Sequence, residues 1–142
     1  MIETFTAAAP LVLVGCGKMG GAMLTGWLDR GLAPEGVVVV EKMPSQALTA
    51  LAAERGLTLH ATAPEGVTAR VMLVAVKPQG LDAAFATLKP LVGPETVVVS
   101  VVAGKTIAAF TAGLSSERII RTIPNTPAQV GRGITAAVAG PA

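Results

Sequence analysis

The sequence is poor in the side chains that carry most acid–base and covalent chemistry. Its 142 residues include one cysteine, one histidine and no tyrosine. A lone Cys16 excludes an internal disulfide framework and suits a reducing compartment. The histidine, His60, falls near a predicted strand end and reads as a surface or packed residue rather than a general acid. Neither a Ser-His-Asp set nor a metal-binding cluster is visible, so no metal is expected. Aromatic residues make up 3% of the chain, so its core must be packed from Val, Ala, Leu and Ile. The net charge is +2 with the basic residues scattered, which gives no electrostatic footprint for nucleic acid. The start "MIETFTAAAP" has an acid at Glu3 and no basic lead into a long apolar core, unlike a secretory signal. The longest apolar run, "TVVVSVVAG", is far short of a membrane span. The expectation is a soluble, cytoplasmic protein with a small-molecule substrate.

What is present is regular. Short, nearly continuous aliphatic runs occupy residues 11–14, 37–40, 71–76 and 97–102, with a weaker one at 118–123. Runs without polar alternation suit strands covered on both faces. Helix-like stretches separate them at 19–30, 45–55, 78–89 and 106–114. Ser45 and Thr106 are placed to cap two of these helices, and Gly31 and Gly56 follow two helix ends. Strand–helix alternation predicts an α/β fold of the Rossmann type, doubly wound, with a mainly parallel sheet and helices on both faces. A short strand at 57–60 would complete the first half, and 134–138 would add a last strand. Residues 1–142 read as one domain, with no linker into a second.

The loop after the first run is "VGCGKMGGAM". Gly15, Gly17 and Gly20 form G-x-G-x-x-G between a predicted strand and a predicted helix, the context a dinucleotide-binding loop requires. Gly15 would permit the tight turn, Gly17 the approach of a diphosphate, and Gly20 close helix–strand packing. The free N–H groups and positive end of the helix would face the phosphates. The plainer reading is a strand–helix turn that uses glycine only for backbone freedom. Lys18 is either a phosphate contact or a solvated lysine, and Cys16 a small packed residue. At the end of the second strand, Glu41 would accept from ribose hydroxyls and points to NAD, whereas Lys42 and Ser45 suit a 2′-phosphate and point to NADP.

Three later strand ends fall on the same predicted edge. They are "AVKPQ", "SVVAGKT" and "RTIPNTP". Lys77 precedes Pro78, which suits a first helical turn. Ala103 and Gly104 are small enough for a flat ring to lie against the backbone, and Asn125 offers an amide between prolines. Each alone is also ordinary turn chemistry.

With "VGCGKMGGAM", "AVKPQ", "SVVAGKTI" and "IIRTIPNTPAQVGRG" together, the chain resembles the amino-terminal half of pyrroline-5-carboxylate reductase over nearly its whole length. The last segment is similar to that family's Arg-x-x-Pro-Asn-x-Pro. The resemblance implies NADP or NAD as cofactor, the reduced form giving hydride to the imine of 1-pyrroline-5-carboxylate to make L-proline. It implies a diphosphate held by Val14, Gly15, Cys16, Gly17, Lys18 and Met19. Ala75, Val76, Lys77 and Pro78 would lie along the nicotinamide, Val102, Ala103 and Gly104 near its reactive end, and Asn125 by the substrate entrance. Members of that family are about twice as long. Their second, helical domain pairs subunits into an oligomer and supplies substrate contacts, and no counterpart follows within this chain. No catalytic residue is therefore assigned here, and the isolated chain is expected to bind cofactor with little turnover. Two other readings stay open: another reductase of the same amino-terminal fold, such as a coenzyme F420-dependent NADP reductase or a β-hydroxyacid dehydrogenase, and a nucleotide-sensing regulatory domain.

Overall fold

The computed structural model describes residues 5–123 and 136–141. Strand β1 (Leu11–Val14) leads through the glycine loop into helix α1 (Lys18–Asp29). Strand β2 (Val37–Val40), helix α2 (Gln46–Arg55) and the two-residue β3 (Leu59–His60) follow. Then come β4 (Ala69–Val74), α3 (Pro78–Leu88), β5 (Val92–Ser100), α4 (Ile107–Leu114) and β6 (Ile119–Ile123). A final β7 (Ala136–Ala139) closes the described chain.

The seven strands form one sheet in the order β3-β2-β1-β4-β5-β6-β7. All pairs are parallel except β6–β7. The chain therefore winds outward from β1 in both directions, and the crevice between β1 and β4 is the switch point of the topology. The expected doubly wound fold is the one observed.

Alternation along β1 shows why its residues are all apolar. Leu11 and Leu13 join one buried cluster with Leu24 and Leu28 of α1 and Leu48 of α2. Val12 and Val14 point the other way, into a cluster with Leu81 and Phe85 of α3 and Phe110 of α4. A strand sandwiched by helices has no solvent face and needs no polar positions. With so few aromatics, two phenylalanines are spent in one place: Phe85 and Phe110 meet edge to face, with ring centroids 5.4 Å apart.

Two caps form as expected. Ser45 Oγ accepts from Leu48 N at 3.1 Å, and Thr106 Oγ1 accepts from Ala109 N at 3.1 Å. Gly56 takes the left-handed position at the end of α2, φ +71°.

The third and fourth aliphatic runs, expected at 71–76 and 97–102, give strands that start and stop earlier. A register shift between Ala69 and Val71 lets β5 begin at Val92 and pass through Gly93 and Pro94. Thr96, fully buried, holds that irregularity: its Oγ1 accepts from Gly93 N at 2.8 Å and donates to Ala69 O at 2.5 Å. At the far end Ser100 Oγ accepts from Val102 N at 3.1 Å and turns the chain out of the sheet. Apolar character alone does not keep Val101 and Val102 in the strand. The strand expected at 134–138 is Ala136–Ala139 within the described residues, and it runs antiparallel.

Candidate functional site

The carboxyl ends of β1, β2, β4 and β5 lie on one edge of the sheet, because these strands are parallel. At β1 the turn is tight. Gly15 has φ +84°, and a Cβ there would fall 2.8 Å from the backbone of Ala75 and Val76. Gly15 N donates to Val40 O at 2.8 Å, and Ala75 N donates to Val14 O at 2.7 Å, so the loop is tied to both neighbouring strands. A Cβ on Gly20 would fall 2.5 Å from Gly15 O, which fixes α1 against the turn. A Cβ on Gly17 would meet nothing within 4 Å. The three glycines thus divide as the motif requires: two sit against backbone, and one faces open space.

Helix α1 starts at Lys18 with Gly17 as its cap, and among the described residues no side-chain cap bond forms there. Those N–H groups and the helix dipole are left for an external acceptor. The start of α1 forms one wall of an open cleft of about 650 Å³. Cys16, Gly17 and Lys18 line it on that side, and Ser45, Leu48, Leu51 and Glu54 line it from α2 and its approach. Glu41 and Met43 close the end at β2.

Glu41 is the most constrained polar group there. Its Oε1 accepts from Cys16 N at 3.1 Å and its Oε2 from Met43 N at 3.3 Å, while its own N donates to His60 O at 2.8 Å. One carboxylate therefore joins the glycine loop to the loop after β2. Cys16 is buried at the motif's variable position. Burial, with a smaller contribution from the Glu41 charge, raises its thiol pKa from 9.0 to about 11.

The β4–β5 half of the edge is built differently. Residues 75–78 leave β4 and enter α3, with Lys77 exposed and Pro78 at the first helical position. Val102 is buried, while Ala103 and Gly104 are exposed, Gly104 with φ +71°. Lys105 pairs with Asp82 at 3.7 Å across the gap between α4 and α3. None of residues 75–78 or 102–104 is among the described residues that line the cleft. Lys42 does not line it either, and neither do Val14, Met19 and Gly20, which stand at the turn itself. Asn125 lies outside the described residues. His60 pairs in β3 beside Val40, and its carbonyl accepts from Glu41 N. Among the described residues no group of three His, Cys, Asp or Glu could hold a metal ion.

Sequence reasoning missed Met43 and the α2 face of the cleft. Met43 is 82% exposed, and the sequence carries no signal of that exposure.

The family model described as NADP oxidoreductase, coenzyme F420-dependent, matches residues 10–104. Pyrroline-5-carboxylate reductase of Mycobacterium tuberculosis is 34% identical over 139 residues, covering 93% of this chain and 47% of the relative. The Escherichia coli enzyme of that name is 32% identical over 124 residues, covering 86% of the chain and 46% of the relative. The chain thus spans about half the length of the curated relatives it matches. The solved structure of a pyrroline-5-carboxylate reductase from Coxiella burnetii superposes with TM-score 0.83 at 25% identity, covering 94% of this chain and 50% of that one. That from Plasmodium falciparum, described with NADP bound, gives TM-score 0.75 at 21% identity over 96% of this chain and 50% of that one. With more than half its residues in the family match, and its glycine turn, Glu41 and residues 75–78 and 102–104 inside it, the chain belongs to the coenzyme F420-dependent NADP oxidoreductase family.

Proposed function

We propose that this chain is the dinucleotide-binding domain of a pyrroline-5-carboxylate reductase and binds NADH or NADPH along the carboxyl edge of its sheet. The observation that carries the binding is the start of α1: a glycine cap with no side-chain acceptor, open above Gly17, on the wall of the cleft. The relatives narrow the reaction. Their alignments run over 124 residues or more, so they extend beyond Gly104, where the family match ends.

In this reading the turn at residues 14–20 holds the diphosphate by the N–H groups from Gly17 onward, since Gly15 N and Cys16 N already donate to Val40 O and Glu41 Oε1, with Lys18 adding charge. Glu41 receives the adenosine ribose. Residues 75–78 and 102–104 make a shelf of small or backbone groups for the nicotinamide, and Asn125 borders the substrate. A bound reduced nicotinamide supplies the hydride for the imine carbon of 1-pyrroline-5-carboxylate, giving L-proline. What the chain contributes is position: a rigid turn fixes the phosphates, and the distance along the edge fixes where the ring lies. The other wall of the site, with the substrate contacts and the pairing of subunits, belongs to a part of the protein outside residues 1–142. The setting we infer for it is the cytoplasm.

Calorimetric titration tests the binding. Micromolar or weaker binding of NADH or NADPH is expected, and no heat from either at millimolar concentration overturns the reading. Proline formation from pyrroline-5-carboxylate should be slow or absent with these 142 residues alone. Ready turnover would show that no second wall is needed.

A further inference from the structure

We infer that Ser100 and Thr122 are positioning residues for the nicotinamide ring. Together they set where residues 102–104 stand on the edge of the sheet, and Thr122 acts from β6 through the backbone of β5. The inference rests on the dinucleotide site proposed above and goes beyond it. Neither residue belongs to the glycine turn or to the shelf, and neither lines the cleft.

β5 and β6 pair in register as far as Ser100 opposite Arg121. Ser100 is fully enclosed, so it touches no ligand itself. Its carbonyl accepts from Thr122 Oγ1 at 2.8 Å, a side-chain bond added where the backbone pairing ends. Its Oγ accepts from Val102 N at 3.1 Å, two residues on. Between them, Val101 N donates to Val74 O at 3.0 Å and keeps that residue on β4. One serine thus has its main-chain and its side-chain oxygen both engaged where the chain leaves the sheet. A side-chain turn of this kind fixes the direction of exit. Val102 is buried, so without Ser100 Oγ its N–H would be enclosed and unpaired, and the loop would have to shift.

What this exit holds is small and open. Ala103 and Gly104 are exposed, and a Cβ on Gly104 would meet nothing within 4 Å. The far end of the same loop is tied as well, by the Lys105–Asp82 pair at 3.7 Å and by the Thr106 cap of α4. A flat ring laid on such a loop is placed by the backbone beneath it, and a small drift of that backbone moves the ring. The glycine turn is held by other partners, Val40 O and Glu41 Oε1. The phosphate end and the ring end of the dinucleotide are therefore set by different bonds and can be disturbed separately.

The test is a pair of titrations, with NADH and with ADP-ribose, which keeps the adenosine and diphosphate and lacks the nicotinamide. They are run on the unaltered chain and on Ser100→Ala, Thr122→Val and Thr122→Ser, with circular dichroism to confirm folding. The unaltered chain should bind NADH about fivefold or more tightly than ADP-ribose. In Ser100→Ala that preference should collapse to near parity, while ADP-ribose affinity stays within about twofold of its unaltered value. Thr122→Val keeps the shape, removes the hydroxyl and should move the same way, and it decides the matter if Ser100→Ala does not fold. Thr122→Ser keeps the hydroxyl and should keep the preference. A preference unchanged in Ser100→Ala and Thr122→Val would overturn the inference. So would equal losses of both ligands, the mark of a purely structural role. A change in Ser100→Ala alone would remove Thr122 from the role. An unaltered chain that binds the two ligands alike has no seat for the ring, which overturns the inference and leaves the diphosphate site standing. Failure of both ligands to bind the unaltered chain would overturn the site and the inference together.

Discussion

On the two halves of the sheet's carboxyl edge, the loop after β1 and the loop after β5 satisfy their backbone in opposite ways. On the β1–β2 half, the glycine loop is pinned by a carboxylate 25 residues away, and the first turn of α1 has no cap of its own. On the β4–β5 half, the loop after β5 closes on itself. Val102 N finds Ser100 Oγ, and α4 carries its own cap in Thr106, although α3 starts, like α1, without a side-chain cap. A loop that has used its donors locally has none to offer an anion; the glycine loop gives Gly15 N and Cys16 N to its neighbours, and the N–H groups after Gly17 remain for a ligand. The contrast suits a ligand whose charge sits at one end and whose flat ring sits at the other.

The largest expected effect comes from joining the halves by force. Gly15→Val puts a branched side chain at φ +84° and drives its Cβ into the Ala75–Val76 peptide. Unfolding in urea should show a loss of about 4 kcal/mol or more, or no folded protein at all. Gly17→Asp separates binding from stability. Asp is a better helix cap than Gly and meets no neighbour there, so the melting temperature should hold or rise slightly. Nucleotide affinity should fall about tenfold or more, because a carboxylate now occupies the anion's place. A Gly17→Asp variant that bound normally would show that the uncapped turn is not the anchor.

Smaller effects sharpen the contrast. Ser45→Ala and Thr106→Ala each remove one cap bond and should each cost about 1 kcal/mol in chemical denaturation. Only Ser45→Ala should also alter nucleotide binding, since Ser45 alone of the two lines the cleft. The smallest effect concerns Cys16. Its thiol is harder to ionise in the folded chain, with the pKa raised from 9.0 to about 11. Stability from this group is complete below pH 9.0 and declines as the pH rises towards about 11. Cys16→Ala should flatten that part of the stability–pH curve.

The sequence makes the fold readable where burial is symmetrical. β1 and β2 have residues of one kind because both faces are covered, and their limits match the aliphatic runs. β5 is harder to read, because Pro94 argues for a turn, and only the shifted register opposite Ala69 makes room for it. Its far end is set by Ser100, a polar residue within an apolar run whose partner is a backbone N–H invisible to pattern. The glycine motif names its own residues, since Gly15 and Gly20 each answer a local steric demand and Gly17 leaves the space above it open. The bond from Cys16 to Glu41 spans the whole of α1 and β2, and no local pattern records it. Acid at the end of β2 is legible, while the two loop N–H groups it accepts from are not.

The burial of β1 has a consequence in time as well as in space. Val12 and Leu13 are fully enclosed, and a parallel strand flanks them on each side. Their amide protons have no route to solvent short of cooperative unfolding. In β7 all four residues are exposed, and among the described residues a strand lies on one side only. Deuterium should therefore enter β7 early and β1 last. The slow exchange of β1 would then clock the opening of the whole sheet, with the glycine turn carried intact until that moment.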